Sequence, residues 1–217
     1  MLKITNLSAS IGNKEILKNV NIELEAGNCL LVTGQNGAGK STLLHAIMGR
    51  PDINITGEIS LAANKLHSME CHERARAGVF LAHQAPPTID GVNTMTLLNE
   101  INKVHDMPYT RSELIAEAGE KFLNMQLPND WKKRAFNSGA SGGERKKNEL
   151  VQSQLFKKKT KLLLLDEPDS GLEQSSRQKI IELIEETCIA GGSVLLVTHD
   201  KELQAKYSNN KLDLSNA

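Results

Sequence analysis

Apolar and β-branched residues come in short runs over the first third of the chain, with turn residues between them. The runs cover residues 3–7, 15–24 and 28–33. Turn residues with glycine and asparagine stand between them, at 12–13 and at 26–28. This alternation predicts short strands joined by turns in the N-terminal third of the protein.

The last third of the chain alternates predicted helices with predicted strands. A helix begins near Glu144 and leads to the apolar strand 162–165, and a helix over about 174–188 leads to the strand 194–198. A further helix is predicted over residues 43–48, where apolar side chains recur at intervals of one, three and four. Strands that alternate with helices imply a mainly parallel sheet that helices cover on both faces.

The middle of the chain, about residues 86–140, has a different pattern and is predicted to be mainly helical. Thr110 and Glu113 have the spacing of a capping box, and apolar residues follow at helical intervals. We therefore predict one domain of 217 residues, in which 1–85 and 141–217 form a catalytic core and the middle forms a helical subdomain.

Composition narrows the classes of function. The 26 basic and 26 acidic residues balance, which argues against nucleic acid or an anionic membrane as a partner. No apolar run approaches the roughly 18 residues that cross a bilayer, and the N-terminus lacks a signal-peptide core. The widely spaced Cys29, Cys71 and Cys188 are interpreted as three unconnected thiols. We expect a cytoplasmic protein that does not insert into a membrane.

The loop after the third predicted strand fits the pattern G-x-x-x-x-G-K-[ST] in full. Its residues are Gly34, Gln35, Asn36, Gly37, Ala38, Gly39, Lys40, Ser41 and Thr42. Glycines let the backbone wrap around a phosphate with consecutive N–H groups pointing inward, and the helix that follows adds its positive end. The motif therefore predicts a nucleoside triphosphate site.

Each polar side chain of this loop has an expected role. Lys40 is expected to bridge the β- and γ-phosphates, Ser41 to bind Mg²⁺, and Thr42 to reach the α-phosphate. The alternative is a glycine-rich turn without a ligand, which does not explain the Lys-Ser pair between a strand and an apolar helix. The motif alone is common to kinases, GTPases and ATPases.

A second candidate segment is the apolar strand 162–165, which ends in Asp166 and Glu167. In a parallel sheet the carboxyl ends of the strands face the ligand crevice. Asp166 is therefore expected near the Mg²⁺, and Glu167 is the candidate general base for an attacking water. The alternative is a strand-end turn with solvated acids.

The segment Ser141-Gly142-Gly143-Glu144 opens the next predicted helix. Ser141 and Glu144 have the spacing of a capping box, so the segment could be only a well-capped helix start. The other interpretation is an anion site, in which the glycine N–H groups, the Ser141 hydroxyl and the helix N-terminus face a phosphate. A second phosphate-binding helix end requires a second phosphate group or a second chain.

The order of these segments resembles that of ABC (ATP-binding cassette) ATPases. That resemblance implies a P-loop NTPase of ABC type, with a mainly parallel core, an N-terminal antiparallel β region and a helical subdomain. It implies that residues 141–143 contact ATP held by the phosphate loop of another subunit. It also implies a Mg²⁺-sensing glutamine at Gln84, a D-loop at 170–173 and a switch histidine at His199. The other histidines, among them His83, are interpreted as ordinary surface or core residues.

Within that family the chain is most similar to SufC-type ATPases of the SUF iron–sulfur cluster assembly system. The segments that carry this likeness are residues 48–50, 55–58, 73–82, 141–148 and 166–172. The resemblance implies SufB- and SufD-like scaffold proteins as partners and a homodimer that ATP brings together. ATP hydrolysis would then drive a conformational change in the scaffold.

Two alternatives remain open from the sequence. The chain could be the nucleotide-binding subunit of an ABC membrane transporter, because the phosphate chemistry is the same and only the partner surface differs. It could also be a nucleotide-dependent binding module with negligible turnover. A P-loop kinase is disfavoured, because it has no use for the segment that begins at Ser141.

Overall fold

The computed structural model describes residues 1–216, and the side chains of all of these except Asn129, Ser175 and Asn216. The strands are β1 (Leu2–Ile11), β2 (Lys14–Leu24), β3 (Cys29–Thr33), β4 (Ile53–Leu61), β5 (Asn64–Lys65), β6 (Val79–Ala82), β7 (Ile89–Asn93), β8 (Ala135–Phe136), β9 (Leu162–Asp166), β10 (Ser193–Val197) and β11 (Lys211–Asp213). The α-helices are α1 (Lys40–Met48), α2 (Cys71–Arg76), α3 (Thr94–Val104), α4 (Arg111–Asn124), α5 (Gly142–Phe156), α6 (Gln174–Ile189) and α7 (Lys201–Tyr207). The predicted domain also included Ala217, which lies outside the described residues.

An antiparallel sheet with the order β2-β1-β4-β5 forms the N-terminal part of the protein. Leu2, Ile4, Leu7 and Ala9 of β1 are buried, so apolar side chains line the inner face of the sheet. The register of β1 against β2 shifts between Ile4 and Leu7, which is the reason that the buried positions change from even to odd. β1 is also longer than the predicted strand 3–7.

A parallel sheet with the order β11-β3-β10-β9-β6 forms the centre of the fold. β3, β6, β9 and β10 are apolar on both faces, as expected for strands covered on both sides, whereas the edge strand β11 has the exposed Lys211 and Asp213. In β9, Leu162 and Leu164 belong to the core shared with the antiparallel sheet and α1, whereas Leu163 and Leu165 belong to the core shared with α5 and α6. The carboxyl ends of β3, β6, β9 and β10 therefore meet at one edge, from which the candidate functional loops emerge.

The segment between the two halves of the central sheet contains α3 and α4, as the sequence predicts, and also two strands that it does not. β7 pairs antiparallel with β8, and this short ribbon joins the two ends of the helical segment. The Phe122 and Trp131 rings stack with centroids 5.5 Å apart, and they anchor the local core. No helix among the described residues is long and apolar enough to cross a membrane.

Candidate functional site

The glycine-rich loop turns sharply between β3 and α1. Gly37 and Gly39 have φ angles of 83° and 91°, a left-handed region in which glycine has no steric cost. A Cβ on Gly39 would lie 2.6 Å from Leu17 Cδ2, so β2 also requires glycine at this position. The ammonium group of Lys40 donates to the carbonyl oxygens of Gly34 and Gln35 at 2.9 and 3.1 Å. The two carbonyl groups therefore hold the Lys40 ammonium group against the backbone of the glycine-rich loop.

Ser41, in the first turn of α1, contacts Asp166, the last residue of β9. Ser41 Oγ donates to Asp166 Oδ1 at 3.1 Å, and Asp166 is 1% exposed. Burial raises the pKa of the Asp166 carboxyl, and the hydrogen bond from Ser41 opposes that rise. A buried carboxylate beside a hydroxyl offers the hard oxygen ligands that Mg²⁺ prefers, and the Gln84 amide oxygen is a third such group. These residues fit a Mg²⁺ ion that keeps several of its waters.

Glu167 is held by contacts on both its side chain and its backbone. Gln84 Nε2 donates to Glu167 Oε2 at 3.0 Å, and His199 Nε2 lies 3.4 Å from Glu167 Oε1. The Glu167 N–H donates to the Val197 carbonyl at 2.9 Å, and Lys146 Nζ donates to the Glu167 carbonyl at 2.6 Å. The carboxylate is thus fixed between the loops that follow β6 and β10.

The backbone of Glu167 is also unusual. Its φ of 49° lies in the left-handed region, which costs a non-glycine residue on the order of 1 kcal/mol. Lys146 of α5 is 6% exposed, and its hydrogen bond to the Glu167 carbonyl supports this turn. Burial lowers the pKa of the Lys146 ammonium, and nearby carboxylates oppose that change. The surrounding structure therefore holds Glu167 in a conformation that its own backbone disfavours.

Six of the nine predicted residues of the phosphate loop surround one cleft of about 640 Å³ together with Gln84, Glu167 and His199, whereas Gly34, Gln35 and Ala38 do not line it. Its lining residues are Lys14, Ile16, Asn36, Gly37, Gly39, Lys40, Ser41, Thr42, Gln84, Glu167 and His199. Asp166 lies next to this lining through its hydrogen bond with Ser41. The sequence did not predict Lys14 and Ile16 as lining residues, because a strand pattern does not show that β2 packs against the phosphate loop at Gly39.

The segment 141–144, at the start of α5, does not line this cleft. Ser141 Oγ accepts from the Glu144 N–H at 3.3 Å, and Glu144 Oε2 accepts from the Ser141 N–H at 2.7 Å, which completes the predicted capping box. Among the described residues, those that line the cleft include none of this segment. Ser141 and Gly142 are exposed. The chain therefore does not bring the segment to its own cleft.

His83, which the sequence left as an ordinary surface or core histidine, makes a specific contact in the structure. His83 Nδ1 lies 2.7 Å from Glu149 Oε1, and the His83 N–H donates to Glu149 Oε2 at 2.8 Å. This hydrogen bond with Glu149 raises the pKa of His83, and burial raises the pKa of Glu149. The pairing joins the loop after β6 to α5, a contact that no local sequence pattern signals.

A family model described as ABC transporter matches residues 17–170 of the chain. The chain belongs to the ABC transporter family. A probable ABC transporter ATP-binding protein of Streptococcus pyogenes is 36% identical over 207 residues, which cover 94% of this chain and 80% of the relative. A probable ATP-dependent transporter of Synechocystis is 36% identical over 209 residues, with coverage of 94% and 81%. Vegetative protein 296 of Bacillus subtilis is 37% identical over 206 residues, with coverage of 93% and 78%.

Solved structures of ABC proteins share the fold. The ATP-binding subunit of an ABC transporter superposes with a TM-score of 0.80 at 21% identity, and covers 95% of this chain and 82% of the other. A dimeric ATP-binding cassette in a post-hydrolysis state, with bound ADP and phosphate, gives a TM-score of 0.78 at 21% identity, with coverage of 94% and 90%. The predicted fold class, a P-loop NTPase of ABC type, is thereby confirmed.

Proposed function

We propose that this ABC-family chain binds and hydrolyses ATP, dimerises around the nucleotide, and drives a conformational change in an iron–sulfur cluster assembly scaffold. One observation carries the proposal of hydrolysis. Gln84 and His199 both lie against the Glu167 carboxylate, in the same cleft as Lys40 and Ser41. The proposal keeps the cytoplasmic location that the sequence predicts.

In this proposal the phosphate loop binds the triphosphate through its backbone N–H groups, the N-terminus of α1 and the Lys40 ammonium. Lys40 exchanges its bonds to the loop carbonyls for bonds to phosphate oxygens. Ser41, Asp166 and Gln84 would hold Mg²⁺. When bound, Mg²⁺ neutralises the charge that develops on the β- and γ-phosphate oxygens.

Glu167 is the proposed general base. A carboxylate oxygen at the end of β9 takes a proton from a water that attacks the γ-phosphate. Gln84 orients that carboxylate through Oε2, and His199 stands beside Oε1. His199 is therefore placed to hold the attacking water or the γ-phosphate in line, which is where positioning lowers the barrier.

The α5 N-terminus supports a dimeric site. Ser141 and Gly142 are exposed, and the helix start carries free N–H groups that suit a phosphate. Because this segment does not line the cleft of its own chain, we propose that Ser141, Gly142 and Gly143 of one copy close over ATP bound to another copy. ATP must then bind the closed dimer more tightly than the open chains, so the dimer is ATP-driven.

An apolar groove supports the proposal of a protein partner. It has a volume of about 390 Å³ and lies between the loop after β6, the β7–β8 ribbon, α3 and α5. Phe80, Pro87, Ile89, Leu97, Ile101 and Phe156 line it. We call it the partner groove, and we propose a SufB- or SufD-like scaffold as its occupant. The alternative is a membrane transporter subunit, which the names of the relatives from Streptococcus pyogenes and Synechocystis favour.

Two measurements test the function. Phosphate release from ATP is measured over a range of chain concentrations, and turnover per chain should fall on dilution because each site needs two copies. Constant turnover per chain would overturn the composite site. ATP binding without phosphate release, even with the partner present, would favour a binding module over an ATPase.

The partner is tested by affinity purification from native cells. Recovery of soluble scaffold proteins supports the iron–sulfur proposal, whereas recovery of only integral membrane proteins would favour the transporter subunit. Leu97→Glu places a charge in the partner groove but does not change the cleft. This variant should lose the partner and still bind ATP.

A further inference from the structure

We propose that Asn148 and Glu149, neighbours on α5, are positioning residues that clamp both ends of the loop carrying Gln84. The inference rests on the proposed ATPase function, because it explains what holds Gln84 against Glu167. We call the loop 83–87 the glutamine loop, and the two contacts described below the clamp.

The first contact holds the start of the glutamine loop. Both carboxylate oxygens of Glu149 are used, one on His83 Nδ1 at 2.7 Å and the other on the His83 N–H at 2.8 Å. The Glu149 side chain is 10% exposed, so water competes weakly for these bonds. Because His83 directly precedes Gln84, this bidentate contact fixes the backbone from which the Gln84 side chain extends.

The second contact holds the end of the loop. Asn148 is fully buried, and its Nδ2 donates to Asn137 Oδ1 at 2.9 Å. Asn137 Nδ2 in turn donates to the Pro87 carbonyl at 2.7 Å. Asn137 has a φ of 60°, a left-handed conformation that asparagine tolerates better than most residues. These two hydrogen bonds therefore connect Pro87 to α5 through Asn137, which lies four positions before Ser141.

Both contacts come from one helix, and that helix begins at the segment proposed to meet the nucleotide of another copy. An α-helix is rigid over its length, so a shift of its N-terminus carries Asn148 and Glu149 with it. The clamp passes that shift to Gln84, whose amide lies 3.0 Å from Glu167. The clamp therefore links engagement of a second copy to the position of the catalytic carboxylate.

The clamp also touches the partner groove. His83, Pro87 and Glu149 belong to its lining, so an occupant would contact the clamp as well as the apolar residues. The same hydrogen bonds can thus pass a change in the partner to Gln84. A mere packing role for Glu149 would not require its two oxygens to be used on one residue.

A double-mutant cycle with Gln84 tests the proposal. Glu149→Leu removes both oxygens, and we expect kcat for ATP to fall about tenfold while KM changes little, a size typical of residues coupled in one hydrogen-bond network. In the Gln84→Ala background the same substitution should lower kcat by less than about twofold, because the residue through which it acts is gone. Equal losses in the two backgrounds would overturn the proposal.

Further variants separate positioning from folding. Glu149→Gln keeps an acceptor for the His83 N–H and should keep most of the activity, whereas Asn148→Ala should reproduce the loss from the other end of the loop. Ser153→Ala is the matched control, because Ser153 is buried on α5 and, within the part of the chain that the structure describes, its hydroxyl donates only to the Leu150 carbonyl of the same helix. A loss in Ser153→Ala equal to that in Glu149→Leu would contradict the clamp.

Hydrogen exchange gives a readout that does not depend on turnover. The amides of His83, Gln84 and Ala85, which are the residues of the glutamine loop that have an N–H group, should exchange faster in Glu149→Leu and Asn148→Ala than in the unmodified chain and in Ser153→Ala. Unchanged exchange in both variants would overturn the clamp, even if the chain hydrolyses ATP. Absent hydrolysis together with faster exchange would instead reject the proposed ATPase function and leave the clamp supported.

Discussion

Gln84 Nε2 donates a hydrogen bond to Glu167 Oε2 at 3.0 Å, although 83 positions of sequence separate the two residues. They meet because β6 and β9 are neighbours in the parallel sheet and end at the same edge. The hydrogen bond from Gln84 therefore orients the Glu167 carboxylate without any contact to a nucleotide. The general-base role that we propose for Glu167 rests on that placement and can be tested directly.

Glu167→Gln should abolish ATP hydrolysis while ATP binding persists. The amide keeps the shape and the hydrogen-bonding oxygen but cannot take a proton from water, so we expect a loss of about 100-fold or more in kcat. Phosphate release measures hydrolysis, and size-exclusion chromatography with ATP should show a longer-lived dimer. Glu100→Gln, on an exposed ion pair of α3, is the control. Turnover retained in Glu167→Gln would reject the general-base role.

Gly39→Ala should destabilise the protein far more than Gly37→Ala. Both positions have a left-handed φ, but only the Cβ at 39 would meet Leu17, at 2.6 Å. We expect about 1 kcal/mol for the backbone cost at either position, and a further 1–3 kcal/mol at 39 from overpacking. Urea denaturation of both variants measures the difference. Equal losses would show that β2 adapts to the added methyl group.

Asp166→Asn should stabilise the protein without nucleotide and weaken its response to Mg²⁺-ATP. Burial raises the pKa of the Asp166 carboxyl, so in the folded state the charged form is disfavoured. The free energy of unfolding therefore falls as the pH rises above the carboxyl pKa of the unfolded chain, which is about 3.9. An asparagine side chain carries no charge, so the substitution removes this loss at neutral pH. We expect a gain of about 1 kcal/mol, measured by thermal unfolding. An unchanged or lower stability would contradict the stated cost of burial.

Cys29 should make the protein less stable at alkaline pH. Burial, with a smaller contribution from Cys188, raises the pKa of the Cys29 thiol far above its ordinary value. The unfolded thiol ionises above about pH 8.5 while the folded one stays neutral, so the unfolding free energy falls as pH rises, by at most ~1.4 kcal/mol per unit.

Cys29→Ala should remove this share of the pH dependence. Urea denaturation between about pH 8 and 9 stays below the range in which an unfolded Tyr207, with an ordinary pKa of about 10, would add its own effect, since burial also raises the pKa of that phenol. Parallel pH profiles for the variant and the unmodified chain would show that the Cys29 thiol does not carry the effect.

The elements of the site that follow strands could be predicted from sequence. Each of the segments at Gly34, Asp166 and His199 comes directly after an apolar run, and parallel strands send their carboxyl ends to one edge. The fold class followed for the same reason, because strands alternating with helices leave few arrangements. A local pattern therefore sufficed wherever the position of a residue depends on where a strand ends.

The contacts between distant side chains could not be predicted in this way. His83 and Glu149 are 66 positions apart, and their pairing depends on how α5 packs against β6. Hydrophobic periodicity shows which face of a helix is buried, but not which polar residue it meets. The β7–β8 ribbon escaped prediction for a simpler reason, since β8 has two residues and no measurable alternation.

The left-handed turn at Glu167 has a consequence for anyone who tries to improve this protein. Glycine at 167 would relieve the backbone strain, just as asparagine at 166 would relieve a buried charge. Both changes remove a carboxylate from the cleft. A library selected for heat resistance alone would therefore enrich chains that survive heating but no longer turn over ATP, so selection needs an activity step beside the thermal one.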